Sequence, residues 1–144
     1  MLIEKPFRIA IIEDEPDQVD YYKRVLDRIA TIRPRYFNNA TAGLAFIRDF
    51  QVKVVISDIG LPDMHGDELL RECMKLNQGI SFYAITSNDS LITADTCMLE
   101  GARGFLQKPV GPDQIRALVE EAIQHLDTWN QLIRSIAAKK KKPA

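Results

Sequence analysis

The sequence predicts one α/β domain of the doubly wound kind, with a parallel sheet between two layers of helices. Five short apolar runs alternate with five amphipathic stretches of helical length, which is the order of strands and crossover helices in such domains. The chain has 144 residues, of which 46% are hydrophobic. This suffices for one well-formed core but not for two ordinary domains.

Each predicted element rests on a local pattern. Three acidic residues and Pro16 follow the first strand and suit the positively polarised first turn of a helix. The second strand contains Pro34, which is typical of a sheet edge. The third strand is short and β-branched, as a strand buried on both faces should be. The expected strands are residues 7–12, 32–37, 53–57, 80–85 and 104–106; the expected helices are residues 16–30, 40–50 and 88–100, with two more that open at 66 and 112.

The last helix should continue beyond the domain. Its apolar residues repeat at steps of three and four, as in a heptad seam. The repeat continues beyond residue 127 and consists of Val119, Ala122, Leu126, Trp129, Ile133 and Ile136. We therefore predict a domain at residues 1–127 and a helical extension with a Lys-rich tail at residues 128–144. The extension is a packing segment, a dimerising coiled coil or connector to an output domain, or a docking helix. The lysine run at 139–142 is a solvated end or linker, or a contact for an anionic partner or membrane surface.

Composition excludes several classes of protein. Cys73 and Cys97 lie in apolar helical patterns outside any CxxC or Cys/His cluster, so we expect buried, reduced thiols. There is no basic region followed by an apolar one at the N-terminus, and no apolar stretch approaches the roughly 18 residues of a membrane span. The 19 basic and 20 acidic residues nearly balance, and no helix-turn-helix or basic stripe suggests nucleic acid contact. We expect a cytoplasmic protein without a membrane span.

Polar residues that carry chemistry follow four of the predicted strands. In an open parallel sheet, ligands bind outside the carboxyl ends of the strands, where the strand order reverses. Each residue alone is ordinary for a loop, but together they predict one site. The residues are Glu13 and Asp14 after the first strand, Asp58 after the third, Thr86 and Ser87 after the fourth, and Lys108 after the fifth.

Such a group of side chains suits phosphoryl chemistry. Three clustered carboxylates repel one another and call for a cation, and oxygen ligands that leave room for water suit Mg²⁺. A carboxylate is a competent nucleophile towards phosphorus when the phosphoryl charge is neutralised. Thr86 and Lys108 supply one neutral and one positive donor for the phosphoryl oxygens.

The motifs resemble a known family in residue type, order and spacing. They are the Glu13-Asp14 pair, SDIGLPDMHG at residues 57–66, AITS at 84–87 and GARGFLQKP at 101–109. Together they resemble the CheY-like receiver domains of response regulators in bacterial two-component phosphorelay systems. The resemblance implies a flavodoxin-like (βα)5 fold with strand order 2-1-3-4-5. It also implies a cis-proline candidate after Lys108.

The resemblance implies a role for each site residue. Asp58 would take a phosphoryl group from the phosphohistidine of a histidine kinase or histidine phosphotransfer protein, and later lose it to water. Asp14 and Asp58 would bind Mg²⁺ (or Mn²⁺) directly, Glu13 would do so through water, and Gly60 would contribute its backbone carbonyl. The protein would thus be a phosphorelay component and not a turnover enzyme.

The resemblance also implies a switch. Thr86 and Lys108 would hold the phosphoryl oxygens, and the inward movement of the Thr86 hydroxyl would vacate space for Phe105. The surface formed by the fourth helix, fifth strand and fifth helix would then change. The family usually dimerises or meets partners there, and the C-terminal helix is a second possible surface for a homodimer.

Three positions depart from the common family pattern. Gly60 is small where the family often has a longer side chain, which would leave the acyl phosphate more open to water. Ser87 replaces a small apolar residue and would add a hydrogen bond to the acyl phosphate. Phe105 stands in place of the frequent tyrosine, which removes a hydroxyl.

Three other classes of protein fit the sequence less well than a receiver. A Mg²⁺-dependent phosphatase or phosphotransferase of the haloacid-dehalogenase type also uses an aspartate at a strand end, but it needs a second aspartate where this chain has Gly60. A receiver-like interaction module that works without phosphate would usually lack Asp58, Lys108 or the acidic pair, and none is lost here. A nucleotide-binding Rossmann domain is disfavoured because neither GxGxxG nor a P-loop pattern is present.

Overall fold

The computed structural model of the chain describes residues 2–87 and 91–141. Within them, five strands alternate with five helices, as the sequence predicts. In chain order they are β1 (Phe7–Ile12), α1 (Pro16–Leu26), β2 (Ile32–Phe37), α2 (Ala40–Phe50), β3 (Val54–Asp58), α3 (Gly66–Lys75), β4 (Ser81–Thr86), α4 (Leu91–Leu99), β5 (Gly104–Gln107) and α5 (Pro112–Lys141).

The five strands form one parallel sheet in the order β2-β1-β3-β4-β5. This confirms the predicted flavodoxin-like topology. The strand that contains Pro34 lies at the sheet edge, also as predicted, so the missing proline N–H interrupts no second ladder. The order reverses between β1 and β3, and a crevice is expected outside the carboxyl ends of these two strands.

Two apolar layers cover the sheet. Successive side chains of a strand point to opposite faces, so Ile9 and Ile11 of β1 pack with α1 and α5, whereas Ala10 and Ile12 pack with α2 and α3. Each fully buried aliphatic side chain contributes about 1.5–3 kcal/mol relative to an exposed one. The two cysteines are free and buried, and both lie in the layer of α2, α3 and α4.

Some element ends differ from the prediction. The first helix ends at Leu26 instead of near residue 30, because the Ile29 N–H donates to the Leu26 carbonyl and closes a tight turn into β2. Ile29 still packs against the core, which explains its place in the apolar pattern. β3 extends one residue further than predicted and includes Asp58. Of the predicted fourth helix, residues 88–90 lie outside the described part of the chain.

α5 is a single helix of 30 residues without a break near residue 127. The Asn130 side chain is buried and accepts a hydrogen bond from the Ile3 N–H while it donates one to the Ile3 carbonyl, both at 2.9 Å. Lys5 forms a 2.8 Å salt bridge with Asp127. The division of the chain at residue 127 therefore stays a prediction.

Farther along α5, three apolar side chains of the seam region, Trp129, Leu132 and Ile136, are about half exposed. Across residues 2–87 and 91–141, no helix combines the length and the apolar character that a membrane crossing requires.

Candidate functional site

The carboxyl ends of β1 and β3 bring three predicted residues to one edge of the sheet. Glu13 and Asp14 follow directly after β1, and Asp58 is the last residue of β3. The two strands are neighbours, with Ile12 paired to Ser57. Their ends meet where the strand order reverses, which is the expected place for a ligand in this fold.

The three carboxyl groups form a cluster that fits a divalent cation. One oxygen from each of Glu13, Asp14 and Asp58 lies within 4.8 Å of the others. Glu13 is 1% exposed, while Asp14 and Asp58 are partly open to solvent. An all-oxygen cluster with solvent access is the ligand set that Mg²⁺ prefers, because this ion keeps part of its hydration shell.

Lys108 contacts two of the three carboxyl groups. Its ammonium nitrogen lies 3.2 Å from Oδ2 of Asp58, and 3.2 and 3.4 Å from the two carboxylate oxygens of Glu13. Its backbone N–H donates to the Thr86 carbonyl at 2.7 Å, which fixes the end of β5 against β4. The Lys108-Pro109 peptide bond is cis, as the sequence motif indicates. Only Asp14 of the cluster has no hydrogen bond to Lys108 among the described contacts.

Burial and neighbouring charges perturb the acids and bases of the site. Desolvation, and then repulsion from Asp58, raise the pKa of Glu13 to about 7 against the opposing effect of Lys108. Burial disfavours the charged form of Lys108, but Asp58 and Glu13 outweigh it and raise the pKa of the ammonium group. At neutral pH the lysine is therefore charged, whereas Glu13 is close to its titration point.

The backbone around Asp58 is held tightly on one side and is open on the other. The Gly60 N–H donates to Oδ1 of Asp58 at 3.1 Å, and a Cβ on Gly60 would meet nothing within 4 Å. A Cβ on Gly66 would instead come within 2.5 Å of the Ile59 Cα and 3.0 Å of the Asp58 carbonyl oxygen. Gly66 is therefore required for the close approach of α3 to the end of β3.

The predicted switch residues share one face of the sheet. Thr86 is the last residue of β4 and is 2% exposed. Phe105 of β5 pairs with Ala84, two residues before Thr86, so both side chains point to the same layer. Phe105 is half-buried there, whereas Ser87 is exposed at the end of β4.

Two contacts around the site have no counterpart in the sequence-based prediction. Asp63, in the loop after Asp58, accepts hydrogen bonds from the Ala40 N–H, the Thr41 N–H and the Thr41 hydroxyl at the start of α2. Tyr21 of α1 donates a hydrogen bond to the Val110 carbonyl in the loop after Lys108. Each contact joins residues that are distant in sequence and belong to no common pattern, so no local signal marks it.

Comparison with known proteins assigns the chain to a family. The family model of the response regulator receiver domain matches residues 9–120. The chain belongs to this family and is a receiver domain of the kind found in two-component response regulators.

The similarity extends over most of the chain. The crystal structure of a CheY-like response regulator receiver domain protein from Methanospirillum hungatei JF-1 has 31% identical residues and a TM-score of 0.75; the match covers 87% of this chain and 97% of that one. The transcriptional regulatory protein FixJ of Rhizobium meliloti is 36% identical over 88 residues, which are 61% of this chain and 43% of FixJ. The chain thus matches less than half the length of that curated relative.

A second similar structure is a dimer. It is the solution structure of the beryllofluoride-activated NtrC4 receiver domain dimer, with a TM-score of 0.76 and 19% identity; the match covers 83% of this chain and 98% of that one. At this level of identity the match supports the fold alone.

Proposed function

We propose that this receiver domain accepts a phosphoryl group on Asp58 in a Mg²⁺-dependent phosphorelay. The observation that carries the proposal is the contact of the Lys108 ammonium with the Asp58 carboxylate inside the cluster of three acids. Asp58 is partly open to solvent, so a donor can reach it. The lysine supplies positive charge at the position where the phosphoryl oxygens would arrive.

The chemistry is a transfer between two nucleophiles. An oxygen of Asp58 forms a bond to phosphorus as the bond between phosphorus and the donor histidine breaks, and the electron pair of that bond stays on the imidazole nitrogen. Lys108 and Thr86 bind the phosphoryl oxygens. Asp14, Asp58 and the Gly60 carbonyl would hold Mg²⁺ (or Mn²⁺) directly, and Glu13 would hold it through water; the bound ion would supply charge neutralisation.

The phosphorylated form is expected to lose its phosphate by reaction with water. Gly60 leaves one side of Asp58 open, which would admit water to the acyl phosphate, whereas the exposed Ser87 would add a hydrogen bond to it. The chain thus catalyses its own phosphorylation and dephosphorylation, and it is not a turnover enzyme. We assign the switch to Thr86 and Phe105, which share one face of the sheet.

Partners are proposed from the family and from the exposed surface. The phosphodonor is a histidine kinase or histidine phosphotransfer protein in the cytoplasm. α4 leaves four large apolar side chains more than half exposed: Leu91, Ile92, Met98 and Leu99. Such a patch favours a protein interface, and we propose a homodimer through α4, β5 and α5, as an alternative to one through the C-terminal part of α5.

The phosphorylation proposal is tested with acetyl phosphate and Mg²⁺. Intact mass should increase by one phosphoryl group per chain, and Asp58→Ala should abolish the increase. Asp63→Asn is the matched control, because Asp63 lies in the same loop but bonds to α2; its labelling should persist. Labelling of Asp58→Ala to the wild-type level would refute the assignment of the acceptor.

The same purified protein can be used to distinguish the receiver from the two alternative functions. A phosphatase of the haloacid-dehalogenase type would turn over a phosphate ester continuously, whereas the receiver should accept phosphate from a phosphohistidine or from acetyl phosphate and should leave a phosphate ester unhydrolysed. An interaction module would bind its partner equally well with and without the phosphodonor.

The dimer surface is tested by sedimentation with and without beryllofluoride. If α4 forms the interface, Leu99→Lys should keep the activated protein monomeric, while Leu132→Lys on α5 should leave the dimer intact. The reverse pattern would assign the interface to the C-terminal part of α5.

A further inference from the structure

Tyr21 connects α1 to the loop that follows Lys108. Its hydroxyl donates a 2.7 Å hydrogen bond to the carbonyl oxygen of Val110, a residue 89 positions away in the sequence. Val110 is buried in the layer formed by α1, α5 and the sheet, and the Tyr21 ring packs against that layer. The contact is therefore a direct hydrogen bond between α1 and the loop that follows β5.

Each end of this bond lies close in sequence to a residue of the site. α1 begins two residues after Asp14, so Tyr21 stands on the helix that continues from the acidic pair. Val110 comes two residues after Lys108. We propose that Tyr21 is a positioning residue that holds the Lys108 ammonium where it meets the phosphoryl group on Asp58. The inference rests on the proposed function, because that function assigns the phosphoryl contact to Lys108.

A neutral bond is suited to this task. In the unphosphorylated chain, Lys108 is held by ion pairs with Glu13 and Asp58. A phosphoryl group on Asp58 brings about −1.5 to −2 charges and new acceptor oxygens, so these ion pairs must rearrange. The bond between Tyr21 and Val110 contains no charged group and does not depend on that rearrangement. It holds the loop in place while the ammonium group changes partners.

The neighbouring tyrosine provides a matched control. The ring centroids of Tyr21 and Tyr22 are 5.6 Å apart, and the Tyr22 hydroxyl is buried without a hydrogen-bond partner within the described residues. Both phenols are on α1, and both hydroxyls can be removed by the same change to phenylalanine. Only the change at residue 21 breaks a bond to the loop of Lys108.

The test compares two ligands that meet different parts of the site. Beryllofluoride imitates the phosphoryl group and contacts Lys108, whereas Mg²⁺ alone is bound by the acids. Tyr21→Phe should weaken beryllofluoride binding by roughly threefold to tenfold, the loss expected for one neutral hydrogen bond. The affinity for Mg²⁺ should stay within about twofold of wild type. Tyr22→Phe should leave both affinities within that limit.

A double-mutant cycle separates positioning from general stabilisation. If Tyr21 acts through Lys108, Tyr21→Phe should have no further effect on beryllofluoride binding in a Lys108→Ala background. Equal losses in both backgrounds, or parallel losses of Mg²⁺ and beryllofluoride affinity, would overturn the positioning role, as would unchanged binding in Tyr21→Phe. Absence of Mg²⁺-dependent beryllofluoride binding in the wild type would instead refute the proposed function, and this inference with it. Thermal unfolding of each variant verifies that it is folded.

Discussion

The Glu13 carboxylate lies 3.2 Å from the Lys108 ammonium, although Glu13 is only 1% exposed. Desolvation and the nearby Asp58 raise the pKa of Glu13 from 4.5 to about 7 in spite of this pairing. Between these two values the folded chain keeps a proton on Glu13 that the unfolded chain releases. The contribution of Glu13 to stability is therefore most favourable below about pH 4.5 and declines as the pH rises to about 7.

Glu13→Gln should remove this decline. In Mg²⁺-free buffer, the variant and the wild type should have similar free energies of unfolding near pH 5, and the variant should be more stable by on the order of 1–3 kcal/mol near pH 8. Urea unfolding across this range measures the difference. Glu15→Gln changes an exposed glutamate two residues away and serves as the control. A difference between Glu13→Gln and wild type that stays constant with pH would contradict the prediction.

The two glycines near Asp58 should differ in their tolerance of an added methyl group. Gly66→Ala places a Cβ 2.5 Å from the Ile59 Cα, so the backbone must shift, and we expect a loss of about 1–3 kcal/mol in the free energy of unfolding. The same shift would move Asp58 and slow its phosphorylation. Gly60→Ala meets open space and should leave stability within about 0.5 kcal/mol. Denaturant titrations measure both changes. Equal losses of stability in Gly66→Ala and Gly60→Ala would contradict the requirement for glycine at residue 66.

Asp63 should stabilise the start of α2 in a pH-dependent way. Hydrogen bonds from the Thr41 hydroxyl and from the Ala40 and Thr41 N–H groups lower the pKa of Asp63 from 3.8 to about 2. Because the folded-state pKa is depressed, the stabilisation is present above about pH 4 and is lost as the pH falls towards 2. Asp63→Asn should lower the free energy of unfolding at neutral pH. It should also reduce the loss of this free energy as the pH falls through the same interval. Asp20→Asn, on the exposed side of α1, should leave the acid transition unchanged.

The sequence predicted those parts of the fold that depend on local patterns. The strand order followed from the family motifs, and the edge position of the second strand followed from Pro34. The first helix was predicted too long, because Ile29 continues the apolar spacing although a turn already begins after Leu26. An apolar residue that packs against the core from a turn can have the same sequence spacing as one in a helix, so the spacing alone does not distinguish the two.

The site was predicted as a set of residues but not as a network. Parallel strand ends bring Glu13, Asp58 and Lys108 together, and each stands directly after or at the end of a strand. The direct pairing of Glu13 with Lys108 could not be predicted, since it depends on side-chain reach inside a buried pocket. The link between Tyr21 and Val110 likewise joins a helix and a loop, with no spacing rule between them.

The pair formed by Asn130 and Ile3 should connect the C-terminal part of α5 to the domain. Asn130 is 1% exposed, and its amide satisfies both the N–H and the carbonyl of Ile3. Asn130→Ala leaves two backbone groups without these partners, and we expect a loss of about 1–3 kcal/mol in the free energy of unfolding. Gln131→Ala, on the exposed side of the same turn, should change stability by less than about 0.5 kcal/mol. Hydrogen exchange at the amide of Ile3 should accelerate in Asn130→Ala and not in Gln131→Ala. Unchanged exchange in Asn130→Ala would mean that α5 beyond residue 127 is independent of the N-terminal segment, as a separate extension at residues 128–144 requires.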